Sequence, residues 1–287
     1  MTPVEDALVQ RRRLRGELRR ARKEANLTQR DVAEAMDWSL SKLVRIENGS
    51  VGISTTDLRI LLQHYGIVDA AKVERLVQMA RAGKEQQGWW TAYRESTSPQ
   101  YTSFLGYENS AAVIEQFEPM LVPGLLQNED YARAILQELA GSASKERIDE
   151  WVELRMRRQE ELYERSSPPE MTFVLSEAVL RPWVGGPEVM RRQLRRLLEE
   201  AAKDYLTLEI VPFRAGAHPG MKGPFVLLQF EGAEEDVLFQ ENIRGDMISR
   251  EEQAEIDDYR DAFARLRELA QKGAANKLID EALKHLR

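Results

Sequence analysis

The chain has 287 residues, no cysteine, 43% hydrophobic residues and a formal net charge of −7. Without cysteine there is no disulfide framework, no thiol switch and no thiolate metal site. No run approaching the roughly 18 apolar residues of a membrane span occurs, and the first residues carry no apolar segment behind their charges, so the sequence predicts neither a transmembrane helix nor a signal peptide, and a cytoplasmic protein.

Residues 1–82 hold fifteen Lys and Arg against eleven Asp and Glu, whereas 83–287 hold 26 against 37. Eight of the basic side chains fall between Arg11 and Lys23, with Glu17 as the one acid among them. A first helix of this kind suits a position near phosphates, and the acidic remainder must project away from them. Thr28 is a good N-cap, with Asp31 three residues on near the positive helix end. Val32, Ala33 and Met36 then supply a narrow apolar stripe, opposite Gln29, Arg30 and Glu34. Asp37-Trp38 interrupts the pattern, Ser39 caps a second short helix, Leu43 and Ile46 turn inward, and Asn48-Gly49 forms a C-terminal stop. Leu40, Ser41, Lys42, Val44 and Arg45 are left facing out. Two short helices across a tight turn are the geometry that presents a helix to the major groove of DNA. Leu58, Leu61, Leu62 and Tyr65, then Val73, Leu76, Val77 and Ala80, predict two further helices at about 54–66 and 69–82, five in all.

Leu27-Thr28-Gln29, Val32-Ala33, Leu43, Ile46-Glu47 and Asn48-Gly49, with Arg22 upstream, resemble the XRE family of helix-turn-helix domains, which is similar to the lambdoid phage repressors. The resemblance implies that Gln29 binds a phosphate and braces the recognition helix, that Leu40, Ser41 and Val44 face base edges, and that Lys42 and Arg45 reach base or backbone. Asn48 would meet a phosphate through its backbone, and Arg22 with Glu47 would form an inter-helix ion pair. With Arg30 and Ser39 these are the candidate DNA-contacting residues. Leu40 and Val44 stand where many relatives are polar, so contact with thymine methyls joins hydrogen bonding, unless one of them packs inside the domain. One module reads few base pairs, so a homodimer on a pseudo-palindromic operator in double-stranded DNA is expected.

Residues 83–106 read as a connector, from Gly88-Trp89-Trp90 to Ser96-Thr97-Ser98-Pro99. The two tryptophans are expected to pack on a domain or on a partner chain. The rest, 107–287, is predicted as an α+β domain in which helices outnumber strands. Helices are expected at 107–117, 129–139, 145–166, 187–202, 250–271 and 274–286, and strands at 171–176, 206–211, 225–230 and 237–240. The whole is mainly α, with a five-helix N-terminal domain and then a small sheet flanked by helices.

Pro123-Gly124-Leu125-Leu126-Gln127 with Tyr131-Ala132-Arg133, Ser176-Glu177-Ala178-Val179-Leu180-Arg181, and Pro212-Phe213 before Gly216-Ala217-His218-Pro219-Gly220 resemble the C-terminal domain of actinobacterial regulators of the WhiJ type. That likeness implies a nucleoid-associated developmental or antitoxin-like transcription regulator, with a small partner protein of the BldB type. His64, His218 and His285 are scattered without helical metal-pair spacing, and neither a Gly-x-Ser-x-Gly elbow nor a P-loop occurs, so no enzyme, metal or cofactor is predicted. Residues 216–224 read as a shaped turn, the alternative being that His218 lines a ligand or protein-binding pocket. Two readings of the second domain stay open: a dimerisation and partner-protein platform, or a small-molecule sensor.

Overall fold

The computed structural model describes residues 7–47, 51–85, 88–230, 236–241, 247–250, 252–270 and 273–286. The chain divides into two compact units, Met1–Thr91 and Ala92–Arg287.

Five helices build the first unit: α1 (Ala7–Glu24), α2 (Gln29–Ala35), α3 (Leu40–Glu47), α4 (Thr55–His64) and α5 (Ala70–Glu85). Their starts follow from capping. Thr28 Oγ1 accepts from the Asp31 amide while the Asp31 carboxylate accepts from the Thr28 amide, a reciprocal box at the head of α2. The Thr28 hydroxyl, and after it the Thr28 amide, donate to the Asp31 carboxyl and hold it below its ordinary value. Ser39 Oγ accepts from the Lys42 amide to start α3, and Ser54 does the same for Asp57 in α4. Between α2 and α3 the chain reverses at Asp37, whose φ of 55° is left-handed, a conformation Asp tolerates better than most residues. Leu14, Leu18, Val32, Leu43, Ile46 and Leu58 close one core.

Within that core sits one carboxylate. Glu47 accepts from Arg22 Nε at 2.8 Å and Nη2 at 3.1 Å, and from Gln29 Nε2 at 2.8 Å, while Arg22 Nη1 donates to the Leu27 carbonyl at 2.9 Å. The end of α3 is thereby bonded to α1 and to the head of α2. The Glu47 bond raises the Arg22 guanidinium above its ordinary value.

The second unit is a six-stranded sheet in the order β3-β2-β1-β4-β5-β6. The strands are β1 (Val113–Glu118), β2 (Glu170–Ser176), β3 (Leu206–Val211), β4 (Phe225–Gln229), β5 (Val237–Glu241) and β6 (Met247–Arg250). β1, β2 and β3 run parallel, and β4, β5 and β6 continue antiparallel from the other side of β1. Parallel neighbours need long crossovers. Here these contain α7 (Glu129–Leu139) and α8 (Lys145–Tyr163) between β1 and β2, then α9 (Pro187–Glu200) between β2 and β3. Preceding β1 is α6 (Pro99–Ser110), and α10 (Gln253–Leu269) and α11 (Ala274–His285) follow the sheet.

Three expectations are corrected. Residues 107–117 are not one helix: α6 ends at Ser110 and Val113–Glu118 is the strand from which both halves of the sheet extend. Tyr107, Ala111 and Ile114 are all buried at helical spacing, which imitates one apolar stripe, but pairing with β2 and β4 prevails over the local pattern. Residues 99–106, expected within the connector, open α6 behind the Ser98 cap. Arg250, expected to begin a helix, ends β6, and α10 starts at Gln253. The other four predicted strands agree with β2 to β5 to within a residue.

Each face of the sheet buries a different set. Phe117, Val174, Val211, Phe225 and Leu238 pack with Ile256, Phe263 and Leu266 of α10. On the other face Phe239 meets the Phe104 ring of α6 edge-on at 5.1 Å. There Arg158 of α8 is buried in a bidentate pair with Glu108 and donates to the Tyr101 hydroxyl at 3.3 Å. Burial opposes its charge, and the adjoining Glu108 more than offsets that, holding the guanidinium above its ordinary value.

The Pro123–Gln127 segment is held by side-chain amides. Gln127 Nε2 donates to the Val122 carbonyl, Gln159 Nε2 to those of Gly124 and Gln127, Gln193 Nε2 to that of Leu126, and the Tyr163 hydroxyl to that of Leu125. At Gly124 a Cβ would lie 3.1 Å from Arg158 Nη1. Glu177, next to the Ser176 cap, accepts from the Phe213 amide at 2.9 Å and ties two of the quoted motifs together.

Replacing Glu47 with Ala strands Arg22 and Gln29, and we expect it to destabilise the first unit by about 3 kcal/mol. The double variant Arg22→Met/Glu47→Leu should recover most of that loss, as measured by urea denaturation followed by circular dichroism.

Candidate nucleic-acid interface

Helix α3 is buried at Leu43, Ile46 and Glu47 and open on its other side. Leu40 is 42% and Val44 36% exposed, so neither is spent on the core. They lie four residues apart, one turn along the same face, with Ser41 and Arg45 exposed beside them. This face offers two apolar side chains, a hydroxyl and a guanidinium, the set that contacts thymine methyls and donates to guanine or phosphate in a major groove.

The remaining candidates are differently placed. Lys42 leans back on its own unit, with Nζ 3.9 Å from the centre of the Trp38 ring and 3.4 Å from Asp57 Oδ2. The Ser39 hydroxyl serves as the α3 cap, the Gln29 amide is bonded to Glu47, and Arg30 is exposed on α2. Asn48 and Gly49 lie outside the described residues. On α1, Arg12 is buried, and Glu17 pairs with Arg20 and reaches Lys72 at 4.0 Å, so part of this helix's basic charge is committed within the unit.

Trp89 and Trp90 open a short 3-10 helix, their rings edge-on with centres 5.8 Å apart. Trp90 is buried, and a Cβ on Gly88 would fall 2.2 Å from its ring, so that position requires glycine. His218 belongs to the second unit, half-buried, its ring edge-on to Phe117 at 5.9 Å. Its Nδ1 is buried without a hydrogen-bond partner, and burial lowers its pKa.

A cavity of about 440 Å³ in the second unit is lined by other residues, among whose polar groups are Gln116 and Glu118 of β1, Glu241 of β5 and Arg155 of α8. None of these was a sequence candidate. Gln116 was hidden by reading its segment as helical, Glu118 by reading it as the turn that follows, and Arg155 is one cation among many on a charged helix. Their one shared signal is polar residues at alternate positions of a strand buried on both faces. Among the described residues, no group of three or more His, Asp and Glu could hold a metal ion, and no helix is long and apolar enough to cross a membrane.

Comparison with known families divides the chain in the same places. Residues 13–76 match a helix-turn-helix domain, spanning most of α1 through much of α5. Residues 101–278 match a domain of unknown function, DUF5753, spanning α6 to the first part of α11. No curated protein and no solved structure matches the chain. The first unit is thus the DNA-binding module of a regulator, and with more than half its length matched by that one model the chain belongs to the DUF5753 family.

Proposed function

We propose that the protein is a sequence-specific transcription regulator of the XRE type that inserts α3 into the major groove of double-stranded DNA, as a homodimer on a pseudo-palindromic operator. The observation that carries this reading is the exposed face of Leu40, Ser41, Val44 and Arg45 on a helix whose far end is fixed by Glu47. A reading helix has to be rigid, because base contacts specify only when the phosphate contacts hold the register. Arg45 is the residue assigned to a base or phosphate, and Leu40 and Val44 to methyl contacts.

The second unit receives the signal in this proposal. A small molecule is favoured over a BldB-type partner protein, because the cavity supplies a concave site with polar side chains set against an apolar wall. The long helix α8, a candidate partner surface from its charge, instead turns Val152, Leu154, Arg158, Gln159 and Leu162 into the interior.

Selecting binding sites from a random DNA library with the full chain should return an inverted repeat with half-sites about one helical turn apart. Recovery of single half-sites, with one monomer bound per site in sedimentation, would count against the dimer. On the selected operator Arg45→Ala should weaken binding by about 1–3 kcal/mol. Unchanged affinity would remove Arg45 from the interface.

A further inference from the structure

The cavity of the second unit lies between α6, α7 and α8 on one side and β1, β4 and β5 on the other. Phe104, Ile135, Leu136 and Leu154 give it an apolar wall, and about 440 Å³ is room for a small organic molecule. Two of its polar side chains are not fully satisfied by the protein. Gln116 is 6% exposed, its Nε2 donates to Glu118 at 2.9 Å, and its Oε1 is buried with no hydrogen-bond partner. Arg155 donates Nη1 to Gln127 at 2.7 Å, its Nε is buried with no partner, and among the described residues it makes no ion pair. Arg158 beside it differs, being fully engaged by Glu108 and Tyr101. Buried polar groups are ordinarily hydrogen-bonded, and leaving two open in one cavity is costly unless something else completes them.

Charge narrows what that something is. One guanidinium without a contacting anion faces a cavity that also holds the Glu118 and Glu241 carboxyls. A purely anionic ligand would leave the Gln116 Oε1 acceptor without a donor and would meet the Glu241 carboxyl, and a purely cationic one would meet Arg155. A molecule carrying both charges answers both. We propose that this cavity binds a small zwitterion with an apolar side chain, of the class of α-amino acids and their dipeptides, its carboxylate held by Arg155 and its ammonium by Gln116 Oε1 and Glu118. The binding site stands on its own geometry; only its role as the regulatory input rests on the function proposed above.

Glu118 supplies a readout. Burial pushes its carboxyl up to about 8, against the Gln116 hydrogen bond, and Glu241 of β5 adds to the rise while Arg155 and Arg158 of α8 oppose it; the Tyr131 hydroxyl of α7 also faces it. At pH 7 the empty site therefore holds Glu118 mainly protonated, and an arriving ammonium favours the carboxylate, so binding releases a proton. The same shift fixes a sign in the empty protein. With the folded pKa raised from 4.5 to about 8, the folded state holds the proton more tightly, so stability falls as pH rises through that window. Glu118→Gln should flatten this fall in thermal denaturation.

The decisive experiment is calorimetric titration of the full chain at pH 7 with L-leucine, L-phenylalanine and L-leucyl-L-phenylalanine, beside the half-molecules phenethylamine and 3-phenylpropionate. At least one zwitterion should bind, both half-molecules at least tenfold more weakly, with an enthalpy that varies with buffer as a released proton requires. Arg155→Met should lose at least tenfold in affinity, and Glu118→Gln should abolish the proton release. Absence of binding by all three zwitterions, or a half-molecule binding as tightly as its parent, overturns the proposal. The comparison of parents with half-molecules uses the unmodified protein, so it holds even where a variant fails to fold. No step involves DNA, so this failure is distinguishable from failure of the α3 reading, which operator binding alone tests.

Discussion

The Glu47 carboxylate is the constraint on which presentation of the first unit depends. It is nearly out of solvent, with a side-chain exposure of 4%, and an ion in that position is tolerable only when its hydrogen bonds are made. Three donors from two other helices make them. The cost of stranding any one of them keeps α1, α2 and the end of α3 in a single arrangement. Hydrophobic contact through Leu43 and Ile46 holds α3 against the core without fixing its rotation, since apolar packing is not directional. The bidentate fork of Arg22 is directional. The outward aim of Leu40 and Val44 follows from the two together.

The second unit resolves a related problem with one strand. β1 pairs on both edges and is covered on both faces, so its alternate residues enter two different interiors. Phe117 goes to the apolar side under α10, and Gln116 and Glu118 to the polar cavity under α8. The Val122–Gln127 segment, just after β1, gives its carbonyls to amides of Gln127, Gln159 and Gln193, which fixes the rim of the same cavity. Glutamine is suited to this because its amide both donates and accepts at a uniform, uncharged cost in burial.

What the sequence disclosed follows the range of the forces involved. Caps act over three residues, so Thr28 and Ser39 marked the starts of α2 and α3, and the inward pair Leu43 and Ile46 was legible from period alone. Leu206–Val211 was legible as a strand because its β-branched run lies between clear breaks. β1 was not, because Tyr107, Ala111 and Ile114 satisfy a helical period and only pairing with strands more than fifty residues downstream decides against it. β6 reads Met247-Ile248-Ser249-Arg250, two apolar residues and then two polar ones, so no alternation registers. The cavity lay beyond local reasoning for the same cause: Gln116, Arg155 and Glu241 come from three elements and meet only through the sheet order.

The position of Lys42 has a consequence for how tightly DNA can be held. Its ammonium already has an aromatic face and a carboxylate within the unit, so a phosphate competes with Trp38 and Asp57 as well as with water. The gain from such an exchange is a difference between two attractions, smaller than that from a cation previously solvated. Fewer counterions are then released on binding than the number of lysines and arginines near the reading face suggests. In the complex proposed above, non-specific attachment to the phosphate backbone would be weakened more than base contact through Arg45 and Val44, so discrimination would come from withholding charge.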